Sequence, residues 1–162
     1  MAVYWLTGMP CSGKTTLGRA LVEHLGELGR VACLIDGDVV RRGELSRGLG
    51  FSAADRLENV RRVAALAARL ARDIDVVVAM VSPTELIRAP ARAVPGVVMV
   101  GLHCPPAVAR QRDYKGVYRR SWDAAAYETP VPADCIVDTS LAGVAESVER
   151  ILNAAGLPQS PP

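Results

Sequence analysis

Residues 8–15 of this sequence place glycine, lysine and threonine at the spacing of a phosphate-binding loop. The segment reads Gly-Met-Pro-Cys-Ser-Gly-Lys-Thr and matches the pattern G-x-x-x-x-G-K-[ST] at every fixed position. The two glycines let the backbone curl, so that successive N–H groups point at phosphate oxygens. Lys14 is expected to reach the β- and γ-phosphates of a nucleoside triphosphate, and the Thr15 hydroxyl is expected to ligate Mg²⁺.

A strand-like run before this loop and a helical pattern after it supply the context that the motif requires. Cys11 is expected to act as a spacer without chemistry of its own. A switch GTPase would carry an Asn-Lys-x-Asp motif, and the sequence has none, which favours ATP as the nucleotide. The residues predicted to bind ATP here are Gly8, Met9, Pro10, Cys11, Ser12, Gly13, Lys14, Thr15 and Thr16.

Two aspartates one residue apart, Asp36 and Asp38, follow the second apolar run of the chain. In a doubly wound sheet, ligands collect at the carboxyl edge where such residues would lie. One carboxylate can act near a metal or take the proton of an attacking hydroxyl, while the other orients the acceptor. An ordinary Asp-Gly turn is the alternative interpretation, because both residue types favour turns.

The elements that must position these groups follow from the hydrophobic pattern. Apolar runs alternate with helical patterns, which predicts an α/β fold with a mainly parallel five-stranded sheet. Ser52 is the predicted N-cap of the second helix, with Asp55 three residues later, and Ser140 is the predicted cap of the third. The predicted strands are 3–7, 31–35, 75–81, 97–102 and 135–137, and the predicted helices are 13–28, 53–72 and 142–155.

Length and composition limit the class of protein. A chain of 162 residues, 50% hydrophobic and 22% charged, suits one soluble domain with one core. Because no apolar run reaches roughly 18 residues and no basic segment precedes the first strand, we expect neither a membrane helix nor a signal peptide. A net charge of +2 does not indicate nucleic-acid binding. The cysteines are scattered and suggest neither a zinc site nor a disulfide framework, which favours the reducing cytoplasm. They are Cys11, Cys33, Cys104 and Cys135.

A series of short motifs runs along most of the chain in order. They are Trp-Leu-Thr-Gly at 5–8, Gly-Lys-Thr-Thr at 13–16, Asp-Gly-Asp-Val-Val-Arg at 36–41, Leu-Ser-Arg-Gly-Leu-Gly-Phe-Ser at 45–52, Asp-Arg at 55–56 with Glu-Asn-Val-Arg-Arg at 58–62, Ser-Pro at 82–83, Gln-Arg-Asp at 111–113 with Lys-Gly-Val-Tyr at 115–118, and Val-Asp-Thr-Ser at 137–140. This ordered series resembles the adenylylsulfate kinase family, the enzymes that phosphorylate the 3′-hydroxyl of adenosine 5′-phosphosulfate (APS).

The resemblance implies a three-layer P-loop NTPase fold with helices on both faces of the sheet. It implies a kinase of sulfate assimilation that uses ATP and Mg²⁺ and releases PAPS and ADP. The kinase domain would span residues 1–156, with a short lid at about 113–130 and a frayed tail at 157–162. The expected partner is a small-molecule nucleotide acceptor, with no nucleic acid and no membrane, and a homodimer is left open.

The resemblance also implies roles for individual residues. Asp36 would be the catalytic carboxylate together with Lys14, and Asp36 and Thr15 would hold the metal. Arg112 would contact the ATP adenine at the start of a lid that contains Lys115 and Tyr118. Phe51 would stack on the acceptor base, while Arg56 and Asn59 would hold the phosphosulfate. The full predicted acceptor set is Asp38, Arg41, Phe51, Arg56, Asn59, Ser82 and Lys115.

The sequence departs from the family on the acceptor side. After the Lys-Gly-Val-Tyr segment the family usually continues with Gly-Phe-Thr-Gly-Ile-Asp, whose Phe sandwiches the acceptor adenine, but residues 119–128 read Arg-Arg-Ser-Trp-Asp-Ala-Ala-Ala-Tyr-Glu. Trp122 and Tyr127 are the candidates to replace that aromatic. Thr84 and Glu85 stand where the family usually has an aromatic residue and an arginine.

Two alternatives therefore stay open beside an APS kinase. One is the same phosphoryl transfer to another nucleotide-linked anion, for example cytidine diphosphoramidate, in a capsule or natural-product pathway. The other is a non-catalytic nucleotide-binding regulatory module, against which the presence of Lys14, Thr15, Asp36 and Asp38 argues.

Overall fold

The computed structural model describes residues 1–114, 116–120 and 127–158. Its sheet has five strands in the order β2-β3-β1-β4-β5, and every pairing is parallel. The predicted α/β fold with a five-stranded sheet is confirmed. The strands are β1 Val3–Gly8, β2 Ala32–Asp36, β3 Asp75–Ala79, β4 Val97–His103 and β5 Cys135–Asp138.

The three long helices lie where the hydrophobic pattern predicts them, and within the described ranges four short helices and a 3₁₀ turn add to the expected set. The helices are α1 Lys14–Glu27, α2 Gly37–Val40, α3 Ala53–Leu70, α4 Glu85–Arg92, α5 Pro106–Gln111, α6 Val117–Arg120 and α7 Val144–Ala154, and the 3₁₀ turn is Glu44–Ser46.

One of the two predicted N-caps is confirmed and the other is wrong. The Ser52 hydroxyl accepts a hydrogen bond from the Asp55 N–H at 3.1 Å and caps α3. The N-cap of α7 is Gly143, without a side-chain bond. Ser140 instead donates its hydroxyl and its N–H to Asp138, because it lies two residues beyond the end of β5, where the chain turns back.

Helices cover both faces of the sheet, as the resemblance implies. Side chains alternate along β1: Val3 and Trp5 pack under α3 and α4, while Tyr4 and Leu6 pack under α1 and α7. All four side chains are fully buried. In the described ranges, no helix has both the length and the apolarity needed to cross a bilayer.

Candidate active site

The phosphate loop joins the end of β1 to the start of α1 and requires glycine at two positions. A Cβ atom at Gly8 would lie 2.5 Å from the Ser12 hydroxyl oxygen and 2.9 Å from the Leu102 carbonyl oxygen. Gly13 has a φ of 92°, in the left-handed region that favours glycine. The loop therefore curls tightly because these two residues have no side chain.

The Lys14 side chain lies inside this curl. Its ammonium group donates to the carbonyl oxygens of Gly8 at 2.9 Å and Met9 at 2.6 Å, and to the Ser12 hydroxyl at 3.4 Å. The residue is only 9% exposed. A buried ammonium group held among oxygen acceptors at a helix N-terminus is suited to bind phosphate oxygens.

Asp36 lies opposite Thr15 and is fixed from two sides. The Thr15 hydroxyl donates to one carboxylate oxygen of Asp36 at 2.6 Å. The other carboxylate oxygen caps α2 by accepting the N–H groups of Asp38 at 2.8 Å and Val39 at 3.3 Å. The carboxylate therefore points from the end of β2 toward the start of α1.

This pair of oxygen donors fits Mg²⁺. Among the residues that the structure describes, no group of three or more His, Cys, Asp and Glu side chains is arranged to hold a metal. Mg²⁺ is usually bound by one or two protein oxygens together with substrate phosphates and water, rather than by an all-protein cage. The hydroxyl of Thr15 and the carboxylate of Asp36 are such a pair.

Two arginines flank the exposed ring of Phe51. Their guanidinium carbons lie 4.8 Å (Arg41) and 5.5 Å (Arg56) from the ring centroid. Arg41 donates to the Gly50 carbonyl at 2.6 Å, and Arg56 donates to the Phe51 carbonyl at 2.9 Å. Burial lowers the pKa of both guanidinium groups, and the nearby Arg56 lowers the pKa of Arg41 further. Two cations close to each other beside an exposed ring are chemically suited to bind an anion.

Three residues after β4, Arg112, Tyr118 and Thr139, form a network of hydrogen bonds that reaches the phosphate loop. Arg112 donates to the Thr139 hydroxyl at 3.3 Å and to the Thr139 carbonyl at 2.9 Å. The Thr139 hydroxyl donates to the Ser12 carbonyl at 2.9 Å, and the Tyr118 hydroxyl donates to the Pro10 carbonyl at 2.8 Å. Burial raises the pKa of Tyr118 to about 12, so this phenol stays protonated as a donor.

Apart from Tyr118, the functional side chains described above line one cleft of about 1030 Å³ at the carboxyl edge of the sheet. The predicted site residues that line it are Pro10, Cys11, Gly13, Lys14, Thr15, Thr16, Asp36, Asp38, Arg41, Phe51, Arg56, Ser82 and Arg112. The cleft therefore brings most of the predicted ATP residues together with most of the predicted acceptor residues. Gly8, Met9 and Ser12 of the loop do not line it, and Met9 lines a second, smaller pocket.

Several predicted residues have other positions. Asn59 is fully buried on α3, where its side-chain oxygen accepts from the Ser46 hydroxyl, and it does not line the cleft. Its acceptor role stays a prediction. Lys115 and Trp122 lie outside the described residues. Tyr127 lines a separate pocket of about 180 Å³, and its hydroxyl lies 3.3 Å from the Thr7 hydroxyl.

Two residues in or beside the cleft have no role predicted from the sequence. Thr139 lines the cleft and joins Arg112 to Ser12. Its place directly after the last strand was the available signal, because ligand contacts collect at that edge. Arg88 is fully buried and donates to the Ser82 carbonyl at 2.7 Å, and no feature of its spacing predicts this contact.

Comparison with known proteins agrees with this geometry. Residues 1–138 match the family model described as adenylylsulphate kinase. The chain belongs to the adenylylsulfate kinase family. The adenylyl-sulfate kinase of Paraburkholderia xenovorans is 39% identical over 163 residues, which cover 93% of this chain and 90% of the relative.

Solved structures of adenylylsulfate kinases share the fold. The APS kinase of Mycobacterium tuberculosis in complex with AMPPNP and APS superposes with a TM-score of 0.87 at 29% identity, over 96% of this chain and 97% of that one. A hexameric APS kinase from Thiobacillus denitrificans matches with a TM-score of 0.69 at 31% identity, over 95% of this chain and 28% of that one. Family membership confirms the predicted P-loop NTPase fold and the class of small-molecule kinase, and it supports ATP and Mg²⁺ as cofactors.

Proposed function

We propose that this protein is an adenylylsulfate kinase that transfers the γ-phosphoryl group of ATP to the 3′-hydroxyl of APS and releases PAPS and ADP. The observation that carries the proposal is the shared cleft, which places Lys14, Thr15 and Asp36 within one cavity with the Arg41, Phe51 and Arg56 cluster. Membership of the family supports the same acceptor.

On the donor side, the loop amides and Lys14 bind the phosphate oxygens. Thr15 and Asp36 would hold Mg²⁺, which, when bound, neutralises charge on the β- and γ-phosphates. The hydrogen bonds from Arg112 to Thr139 and from Thr139 to Ser12 fix the adenine side of the cleft relative to the loop. Such positioning is most of what a phosphoryl-transfer enzyme supplies.

Asp36 is the proposed acceptor for the proton of the attacking hydroxyl. As the hydroxyl oxygen of the acceptor bonds to the γ-phosphorus, the bond from that phosphorus to the β,γ-bridging oxygen breaks and ADP leaves. The proton passes to the Asp36 carboxylate. The cap bonds from Asp38 and Val39 keep this carboxylate oriented.

On the acceptor side, Arg41 and Arg56 match a compact anion, and Phe51 offers a ring to a base. Phe51 is 70% exposed, so its ring is accessible from the cleft. Guanidinium groups donate paired hydrogen bonds to phosphate and sulfate oxygens. An aromatic face binds a base by stacking.

Turnover measured with ATP, Mg²⁺ and a panel of acceptors tests the proposal. The panel contains APS, cytidine diphosphoramidate and plain nucleoside monophosphates, and ADP release is the readout. We expect the highest kcat/KM with APS. A higher kcat/KM with cytidine diphosphoramidate would replace APS as the acceptor, and no ADP release with any acceptor would favour a regulatory module.

A cytoplasmic location and a homodimer are further proposals. No disulfide joins the cysteines, all of which lie in the described part of the chain, and this fits a reducing compartment. The relative from Thiobacillus denitrificans is described as hexameric. Sedimentation at several protein concentrations would distinguish a dimer from a monomer or a hexamer.

A further inference from the structure

Arg88 on α4 is a fully buried cation beneath the acceptor side of the cleft. Its guanidinium group donates to the Ser82 carbonyl at 2.7 Å and twice to one Glu85 carboxylate oxygen, at 3.0 and 2.8 Å. Its carbon lies 5.7 Å from the centroid of the Tyr127 ring. A buried charge persists only when it is paired and hydrogen-bonded in this way.

Glu85 connects this arginine to residues 127–131, at the end of the predicted lid, which we call the return segment. The same carboxylate oxygen accepts the Val131 N–H at 3.2 Å, and the other accepts from Arg92 at 2.9 Å. The Glu85 N–H donates to the Glu128 carboxylate at 2.9 Å. Glu128 in turn donates its own N–H to the Pro83 carbonyl at 2.8 Å.

The residues before α4, 81–84, form a strained turn that we call the acceptor turn. Ser82 has a φ of 39° although it is not glycine, and it is 3% exposed. Its hydroxyl accepts from the Trp5 indole at 3.1 Å, and the Val81 carbonyl accepts from the Thr7 hydroxyl at 2.6 Å. Such a conformation persists only where the surroundings enforce it, and it is concentrated at functional sites.

The acceptor turn contributes to the wall of the active-site cleft, whereas Glu85 and Arg88 do not line it. We propose that Glu85 and Arg88 are positioning residues for acceptor binding, which lock the acceptor turn and the return segment into one arrangement. The proposal rests on the proposed function for the identity of the acceptor. It assigns a role to Glu85, a carboxylate at a position where the family usually has an arginine. Glu85 holds the acceptor turn in place through contacts made outside the cleft.

Kinetics of Glu85→Gln provide the main test. The amide keeps the size of the side chain but removes the charge and replaces one oxygen by a donor, which cannot accept from an arginine. We expect the KM for APS to rise about tenfold, which corresponds to the interaction energies usually found between residues of one hydrogen-bond network. The kcat and the KM for ATP should change less than about twofold. Glu146→Gln is the matched control, because Glu146 also pairs with an arginine but lies on α7 outside the cleft.

Hydrogen exchange of the amides of Glu85, Glu128 and Val131 gives a second readout that needs no turnover. We expect all three to exchange faster in Glu85→Gln than in the wild type, and at the same rate as wild type in Glu146→Gln. Arg88→Lys keeps the charge but lacks the planar guanidinium group that donates to both Ser82 and Glu85. We expect this variant also to raise the KM for APS without changing the KM for ATP.

The proposal is overturned if both KM values rise equally, if neither changes, or if only the melting temperature falls. Unchanged exchange at the three amides would also overturn it. If Arg88→Lys does not fold, Glu85→Gln alone decides. An inactive wild type with APS would contradict the proposed function, whereas the exchange measurement would still test the link between the two segments.

Discussion

Asp36 combines a structural and a chemical task in one side chain. One oxygen caps α2 and the other accepts from Thr15. The two tasks separate by charge, because a cap needs only an oxygen acceptor while proton transfer needs a carboxylate.

Asp36→Asn therefore tests the chemical task alone. The amide retains an oxygen that can cap α2, so we expect the fold and the binding of ATP by the phosphate loop to survive, while the loss of the carboxylate weakens Mg²⁺ ligation and proton transfer and lowers the transfer rate by about 10²-fold or more. Calorimetric titration with Mg·ATP and ADP release measure the two properties. Near wild-type turnover would remove Asp36 from its catalytic role.

Arg56→Ala tests the anion site. Loss of a hydrogen bond to a charged group costs about 1.5–3 kcal/mol, so the affinity for APS should fall by about tenfold to a hundredfold while the affinity for ATP stays nearly unchanged. Arg61→Ala is the control, because Arg61 pairs with Glu58 and does not line the cleft. Equal losses for donor and acceptor would count against the assignment.

The pH dependence of stability tests the Glu85 network. Burial acts to raise the pKa of Glu85, but hydrogen bonds from Arg92, Arg88 and Val131 outweigh it and lower the pKa from 4.5 to about 2. Because the folded pKa is depressed, the stabilisation is fully present above the ordinary value and is lost as pH falls through about 2. The difference in unfolding free energy between wild type and Glu85→Gln should therefore be constant near neutral pH and shrink below about pH 4 in urea titrations. A difference that does not vary with pH would show that Glu85 is not ionised in this network.

Sequence predicted the site residues whose role depends on local chemistry. Lys14 and Thr15 follow from a contiguous motif, and Asp36 follows from its place at a strand end. The φ of Ser82 and the burial of Arg88 depend on contacts with Trp5, Glu85 and Tyr127. Trp5 and Tyr127 are distant in sequence from these two residues, and the spacing of Glu85 and Arg88 does not indicate burial. Such residues are found only once the chain is folded.

At the scale of elements, helices with a continuous pattern were predictable and short ones were not. α3 has an apolar face and a capping serine, both readable from the sequence. α4 contains Pro90, which argues against a helix. Its N-cap, Thr84, is recognised only in the structure, where the Thr84 hydroxyl accepts a hydrogen bond from the Ile87 N–H. α2 has four residues and depends on the Asp36 cap.

Ser52→Ala measures how much the cap of α3 contributes. We expect a loss of about 1 kcal/mol in unfolding free energy, since the Asp55 N–H loses its acceptor. Ser52→Asn should restore most of it, because asparagine caps about as well as serine. Urea denaturation of the three proteins provides the comparison, and equal stability of alanine and serine would show that solvent replaces the cap.

At the scale of the whole molecule, the donor and acceptor halves rest on opposite layers. α1, which begins at the phosphate loop, packs on one face of the sheet, and α3, which carries Arg56, packs on the other. Sequence predicted five strands but not their order, because strand order depends on which apolar surfaces meet rather than on any local signal. The location of the cleft between the layers follows from that order.

Ligand binding should stabilise this assembly. At about 100 times its Kd, Mg·ATP adds about 2.7 kcal/mol to the unfolding free energy, which raises the Tm of a chain of this size by about 5–10 °C. Lys14→Met should lose most of the increase, since its ammonium contacts the loop that binds the phosphates. Differential scanning with and without Mg·ATP measures the effect, and an equal increase in the variant would contradict the proposed donor site.

The central position of β1 also has a consequence for synthesis on the ribosome. Val3 pairs with Val76 on one side and with Val97 on the other, so the strand that leads into the phosphate loop emerges long before either of its neighbours. In a nascent chain that ends before β4, the phosphate loop follows a strand that lacks one of its two neighbours in the sheet. We therefore expect the nucleotide to bind only after most of the polypeptide has been made.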